Sequence, residues 1–408
     1  MMQLNKESGP QLSRRLDGVS ESATLKLNAT VQQMKTQGVD VVNLTAGEPD
    51  FWVPEAAKKA VIDAVHGNQS KYTPVAGLPA LREAIASKTN DQQKSLSSSR
   101  PWKAAHVLVT NGGKQALFNA LMAILNPGDE VLIPSPYWLS YPEMVKLAGG
   151  IPKFIPASGR QGFKITPDQL QNAMGPHVKV LILNSPSNPT GALYSKDEYR
   201  ALGDVLAQSP FGKNIWILSD EIYDRIVLGA TPFCSFLEAN PAWVDQTITI
   251  NGVSKSAAMT GWRLGWSVAP EKVTQAMLTL QGQSTSGVNA LSQWAAIAAL
   301  KLPESDFVEQ VSSFRKRRDL LLENLKKARK IDVYIPEGAF YAFVGIGQYL
   351  RSGEDSMGFA QRVLEEAQVA VVPGTPFGDP EFVRLSFATD ERSILEGCQR
   401  LVRYLDAV

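Results

Sequence analysis

Cysteine is nearly missing from this chain: Cys234 and Cys398 are the only two in 408 residues. So few exclude a disulfide framework and point to a reducing, cytoplasmic compartment. Histidine is almost as scarce. His66, His106 and His177 stand far apart without the spacing of metal ligands, so no metal site is expected. Excess charge of either sign is also missing, because 41 basic residues face 40 acidic ones. This balance excludes a general attraction to nucleic acid or to an anionic membrane, and any anion must be recognised locally. No apolar run approaches the ~20 residues that span a bilayer. The first residues (Gln3, Asn5, Lys6, Glu7) are polar and lack the apolar core of a signal peptide. The expectation is a soluble protein of two or three domains, or of one large unit with a smaller companion, and 44% hydrophobic with 20% charged residues suffices for a sizeable core.

What the chain does have is alternation. From about Trp102 to Leu300, short β-rich runs alternate with helical patterns, which predicts a layered α/β domain. Strands are expected at Val107 to Thr110, Glu130 to Ile133, Val178 to Leu183, Ile215 to Leu218 and Thr247 to Ile250. A helix is expected over Gln115 to Leu125, stopped by Asn126-Pro127-Gly128-Asp129. Three of the strands run into Asn184, Asp220 and Asn251, and ligands of open α/β sheets bind just outside strand carboxyl ends. Asn90 to Arg100 is polar enough for an exposed connection. Glu309 to Lys330 has helical spacing, and its run Arg315-Lys316-Arg317-Arg318 reads as a solvated helix face rather than a nucleic-acid site, since no second basic cluster accompanies it. Strands at Val333 to Ile335 and Phe340 to Val344 begin a smaller α+β unit.

Chemistry concentrates in Ile250-Asn251-Gly252-Val253-Ser254-Lys255 and the following Gly261-Trp262-Arg263-Leu264-Gly265. Small residues beside Lys255 let an aldehyde approach its amine, and the Arg263 fork eight residues on suits a phosphate. An amine for an aldehyde plus a fixed cation for a phosphate is what pyridoxal phosphate needs. Gly112-Gly113-Lys114, at a strand-to-helix turn, offers backbone N–H groups and a helix N-terminus to the same anion, or is only a turn. Asp220 follows a buried strand, where a carboxylate requires a cation such as a protonated pyridine nitrogen; the other reading is a helix cap. Tyr223 and Asn188 are candidates for the ring oxygen, and Trp138 for stacking on the ring, against a plain connector and a core tryptophan. In Phe382-Val383-Arg384-Leu385-Ser386-Phe387 an inward arginine needs an anion, which is a substrate carboxylate or else Asp390 or Glu391.

The ordered set of these segments resembles the class I aminotransferases of pyridoxal-phosphate fold type I, most closely the bacterial aspartate aminotransferase-like subgroup. The resemblance also rests on Leu44-Thr45-Ala46-Gly47-Glu48-Pro49-Asp50-Phe51, Lys71-Tyr72-Thr73-Pro74, Gly77-Leu78-Pro79-Ala80-Leu81-Arg82, Asn188-Pro189-Thr190-Gly191 and Ser219-Asp220-Glu221-Ile222-Tyr223. It implies a large cofactor domain with a mostly parallel sheet (49–291), and a small α+β domain built from both chain ends (1–48, with its arm, and 292–408). It implies that Lys255 bonds the cofactor and shuttles the proton, and that Asp220 holds the pyridine nitrogen with Asn188 and Tyr223 on the ring oxygen. Gly113, Lys114 and Arg263 would surround the phosphate, joined by Tyr72 from the second subunit of a homodimer. Trp138 would stack on the ring, Arg384 would clamp the α-carboxylate, and Gly47 would close over it.

The resemblance further implies ping-pong transfer of an amino group from an L-amino acid to a 2-oxo acid, with aspartate and 2-oxoglutarate favoured. Aromatic, alanine or prephenate-type substrates are alternatives. A β-elimination lyase and a cofactor-sensing regulator are the other readings, although no room precedes Ala46 for a DNA-binding module. Departures bear on the substrate. Ser20-Glu21-Ser22-Ala23-Thr24 stands where acidic-substrate enzymes often carry Lys-Pro-Ser-Ala-Thr, Trp52 stands where an aspartate is typical, and Gln281 to Ser286 offers no arginine. Lys114, Ser22 and Thr24 remain for reading a second carboxylate.

Overall fold

Seven short runs, each able to satisfy its backbone only by pairing, form one sheet in a computed structural model that describes residues 12–21 and 23–407. The polar start of the chain and Ser22 lie outside the described residues. The strands are β1 (Val107–Thr110), β2 (Glu130–Ser135), β3 (Ile151–Pro156), β4 (Val178–Asn184), β5 (Trp216–Asp220), β6 (Thr247–Gly252) and β7 (Gly265–Val268). Their order is β1-β7-β6-β5-β4-β2-β3, with β7 antiparallel to both its neighbours and the other pairs parallel. Parallel strands need crossover helices, which cover both faces, and β1, β6 and β7 are accordingly buried at every position. Separate apolar clusters lie on the two sides of the sheet, one around Leu132, Leu181 and Ile217, the other around Val131, Ile182 and Leu218.

A second, antiparallel sheet forms further along the chain from β8 (Asp332–Val333), β9 (Tyr341–Gly345), β10 (Val372–Pro373) and β11 (Phe382–Ser386). The early strand Val42–Asn43 pairs in parallel with Val369–Ala370, so the start of the described chain packs with its end. Helix α1 (Ala23–Thr36) contributes to that assembly, and the core there includes Leu44, Phe314, Phe340 and Leu401. Helix α2 (Gly113–Ile124) follows β1, and α3 (Ser140–Leu147) follows β2. Helix α4 (Val308–Leu325) carries the basic run, and α5 (Glu391–Ala407) closes the described chain. Among the described residues no helix is long and apolar enough to cross a membrane.

Some expectations change. Strand β5 reaches two residues beyond Leu218, so Asp220 is its last paired residue, opposite Asn184 and Ile250. Strand β8 stops at Val333, just ahead of the exposed Ile335 and of Pro336, which has no N–H for a ladder. The basic run is a solvated face only in part: Arg315 and Lys316 are exposed, whereas Arg317 and Arg318 turn inward. Arg318 is 8% exposed and donates to the carbonyls of Leu228 and Pro336 at 3.1 Å each, while Arg315 Nε donates to the same Leu228 carbonyl at 3.0 Å. Carbonyls at the ends of irregular segments satisfy these guanidinium groups, and hydropathy periodicity does not register such partners.

Candidate active site

A cavity of about 290 Å³ opens where β4, β5 and β6 end, and Asn184, Asp220 and Lys255 all line it. Sheet topology decides this placement, because parallel neighbours point their carboxyl ends, and the residues just past them, the same way.

Asp220 is 4% exposed. Tyr141 Oη donates to its Oδ2 at 2.7 Å and the Ile222 N–H to its Oδ1 at 3.3 Å. No lysine or arginine pairs with it among the described residues, and burial pushes its carboxyl up to about 6 against the pull of Tyr141. No helix starts here, as residues 221–225 form only turns, so the helix-cap reading fails. This carboxylate is buried and, among the described residues, has no paired cation. A folded-state value above the ordinary 3.8 means that stability is greatest at low pH and falls as pH rises through about 6. A shift of that size corresponds to about 3 kcal/mol. Denaturant titration of ligand-free protein should therefore show wild type losing about that much between pH 4 and pH 7 relative to Asp220→Asn. Parallel pH profiles for the two proteins would contradict the isolated-carboxylate reading.

Lys255 lies across the cavity, and its Nζ donates to the Gly47 carbonyl at 2.5 Å. Burial, and then the charge of Arg384, lower its pKa to about 8. A sizeable neutral fraction near pH 7 to 8 gives the amine nucleophilic and basic character.

At one end, β1 turns into α2 through Gly112, whose φ of +82° favours glycine. A Cβ there would also sit 2.8 Å from Arg263 Nη2, and one on Gly265 would sit 2.5 Å from the Gly113 nitrogen. Both glycines are needed for the helix N-terminus and the guanidinium to stand side by side. Arg263 itself is left-handed (φ 53°), with Nη1 donating to the Thr260 carbonyl at 2.7 Å. Holding a non-glycine residue in that region marks a constrained position. Lys114 lies in the first turn of α2. Though the residue is exposed, its ammonium stands 4.9 Å from the Trp138 ring centroid, and partial burial plus Arg263 lower its pKa.

At the other end Arg384 is 3% exposed on β11. It donates from Nη1 to Asn188 Oδ1 at 3.0 Å and from Nη2 to the Thr45 carbonyl at 3.1 Å, and among the described residues its Nε has no partner. The carboxylates offered by the sequence are engaged elsewhere: Asp390 accepts from Ser393, and Glu391 pairs with Lys316 at 2.9 Å. A buried guanidinium with neutral acceptors only is incomplete without an anion. Tyr223 Oη lies 3.0 Å from Tyr341 Oη beside it.

Residues 39–401 match the family described as aminotransferase class I and II. A probable aspartate/prephenate aminotransferase of Rhizobium leguminosarum bv. phaseoli is 44% identical over 97% of this chain and 99% of its own length. The crystal structure of the aspartate aminotransferase from Rhizobium meliloti superposes with a TM-score of 0.92 at 39% identity, covering 98% of this chain and 99% of that one. That of Thermus thermophilus with maleate gives 0.90 at 41%, covering 97% and 100%. The chain belongs to the class I and II aminotransferases.

Enzymes of this family use pyridoxal phosphate, and the residues of this aminotransferase fit it. The cation-free Asp220 suits a protonated ring nitrogen, the glycine cradle with Arg263 suits a phosphate, and the amine of Lys255 lies between. Of the residues expected from the sequence, Gly47, Gly113, Lys114, Trp138, Asn188, Asp220, Tyr223, Lys255, Arg263 and Arg384 line one cavity. Tyr72 does not reach it and is fully exposed at 101%. Thr24 lines the cavity with a buried, unpartnered Oγ1, whereas Ser20 lines a neighbouring one and gives its N–H to Glu143 at 2.8 Å. Sequence reasoning missed Tyr141 and Tyr341. The first stands three residues after Trp138, a helical spacing that could have flagged it; the second sits in Phe340-Tyr341-Ala342-Phe343, which reads as ordinary core.

Proposed function

We propose that this aminotransferase moves the amino group of an L-amino acid, aspartate in preference, to a 2-oxo acid, 2-oxoglutarate in preference, in a ping-pong cycle. The observation that carries the reading is Arg384, a buried guanidinium without an anion, facing the cavity of Lys255. An α-carboxylate, which amino acids and oxo acids share, completes it with two parallel N–H bonds. Pyridoxal phosphate, when bound, supplies an electron-withdrawing ring that takes up the electrons left as the α-proton departs. Asp220 holds the proton on the ring nitrogen, and Tyr223 and Asn188 serve the ring oxygen. The backbone at Gly113 and Lys114, in the first turn of α2, and the Arg263 guanidinium hold the phosphate, and Trp138 stacks on the ring. The Lys255 amine takes the α-proton and returns it on the other side of the exchange.

The shared site of a homodimer belongs to this reading: Tyr72, wholly exposed in one copy, reaches the phosphate of another. The division into a large unit, 49–291, and a small one, 1–48 with 292–408, belongs to this reading too and is supported by the separation of the β1–β7 sheet from the β8–β11 sheet. Two buried, unpaired cysteines support a cytoplasmic setting.

For the distal carboxylate, Lys114 over Trp138 and the unpartnered hydroxyl of Thr24 are the available groups. The Thermus relative is described with maleate, a dicarboxylate, which supports the acidic donor. A second reading, a larger donor of the prephenate or aromatic type, is supported by the relatives named for both activities and by the missing cation at Ser20. A donor panel against 2-oxoglutarate separates the two. Lys114→Met should lower kcat/KM for aspartate about ten- to a hundredfold, the worth of a hydrogen bond to a charged group, with alanine and phenylalanine nearly unchanged. Equal small changes for all donors, or a wild-type preference for a neutral donor, would refute the aspartate assignment.

A further inference from the structure

The segment from Leu44 to Val53 belongs to no helix or strand, so its shape depends on what holds it. Among the described residues, Asn28 and Asn43 accept from Thr45 at its start, and four further side chains donate to it. Arg384 Nη2 donates to the Thr45 carbonyl at 3.1 Å, Lys255 Nζ to the Gly47 carbonyl at 2.5 Å, Thr260 Oγ1 to Glu48 Oε2 at 2.6 Å, and Arg317 Nη1 to Asp50 Oδ1 at 2.7 Å. The first three donors line the cavity. Arg384 and Lys255 have chemical work there, so those ties are open to exchange during the reaction.

Arg317 is different. It reaches the segment from α4, outside the cavity, and its side chain is 12% exposed. Its guanidinium also stands 5.3 Å from the Phe51 ring centroid, and Phe51 packs edge-on against Phe314 of the same helix at 5.1 Å. Among the described residues its Nε is buried without a partner and its one ion pair is with Asp50. Arg318, its neighbour, is spent on carbonyls of another part of the chain.

We propose that Arg317 is a positioning residue for transamination: through Asp50 and Phe51 it fixes the place of Gly47, and so the fit of the substrate α-carboxylate, from outside the cavity. The proposal rests on the reading that Gly47 closes over that carboxylate. The ion pair is single-pronged, so an ammonium at position 317 can replace it, whereas a neutral side chain of similar length cannot.

The test uses the cofactor-loaded enzyme, aspartate and 2-oxoglutarate as substrates, and the variants Arg317→Met, Asp50→Asn, their combination and Arg317→Lys. Arg317→Met and Asp50→Asn should each raise KM for both substrates about tenfold, the size of coupling between neighbouring charges, with kcat held within about twofold. The double variant should be no worse than either single one, and Arg317→Lys should stay close to wild type. Amide hydrogen exchange without substrate should quicken across residues 45–51 in the two single variants and return to the wild-type rate in Arg317→Lys. Additive losses, a loss confined to kcat, or unchanged exchange in Arg317→Met would overturn the proposal. Wild-type enzyme inactive towards aspartate would refute the donor assignment instead, and the exchange rates would still decide the role of Arg317.

Discussion

Lys255→Ala is expected to lower kcat by at least about 10²–10⁴-fold, the range for losing a positioned acid–base group. The amine has two tasks in one place, bonding the cofactor and carrying the α-proton, so its loss removes both. No neighbour can substitute. Lys114 holds its ammonium 4.9 Å from the Trp138 ring centroid and under the charge of Arg263, and Arg384 keeps its proton at any ordinary pH. Because Asp220, Arg263 and the glycine cradle are untouched, the variant should still bind pyridoxal phosphate non-covalently and remain folded. Steady-state turnover, with a thermal melt as the folding control, checks this. A variant that transaminates near the wild-type rate would remove Lys255 from the chemistry.

Arg384→Ala should cost about 2–5 kcal/mol in kcat/KM for amino acid and oxo acid alike, as expected for truncating one member of a buried charged pair. Arg384→Lys should fall between, because an ammonium offers no two parallel N–H bonds and is too short to keep both Asn188 and the Thr45 carbonyl. The loss should be common to every substrate, since the α-carboxylate is. A variant impaired towards one substrate only, or towards neither, would make Arg384 a structural residue tying β11 to the Gly47 segment.

The parts of this protein legible in the sequence are those with local physical signatures. β1 matches its expected bounds because Val107-Leu108-Val109-Thr110 is bounded on both sides by chain that turns. The clustering of Asp220, Asn188 and Lys255 followed from strand ends, because in a parallel sheet one end of every strand meets at one edge. Tertiary partners were not legible. The polar stretch from Asn90 to Arg100, expected as an exposed connection, instead holds Gln93 at 1% exposure, where it donates to Ser235 at 3.0 Å and accepts from Trp102 at 2.8 Å. Those partners lie up to 142 residues away in sequence. The inward turn of Arg317 and Arg318 was hidden for the same reason, since a guanidinium paired with a distant carbonyl or carboxylate looks no different in sequence from a solvated one. Tyr141, which sets the environment of Asp220, carries no mark beyond its spacing from Trp138.

The most direct measurement of the central claim is chemical. Protein saturated with pyridoxal phosphate is treated with borohydride, digested, and the peptides weighed. The cofactor's mass should appear on the peptide containing Lys255 and on no other, with none retained covalently by Lys255→Ala. Fixation to a different lysine, Lys114 for example, or a wild-type protein that releases all of its cofactor after reduction, would contradict it.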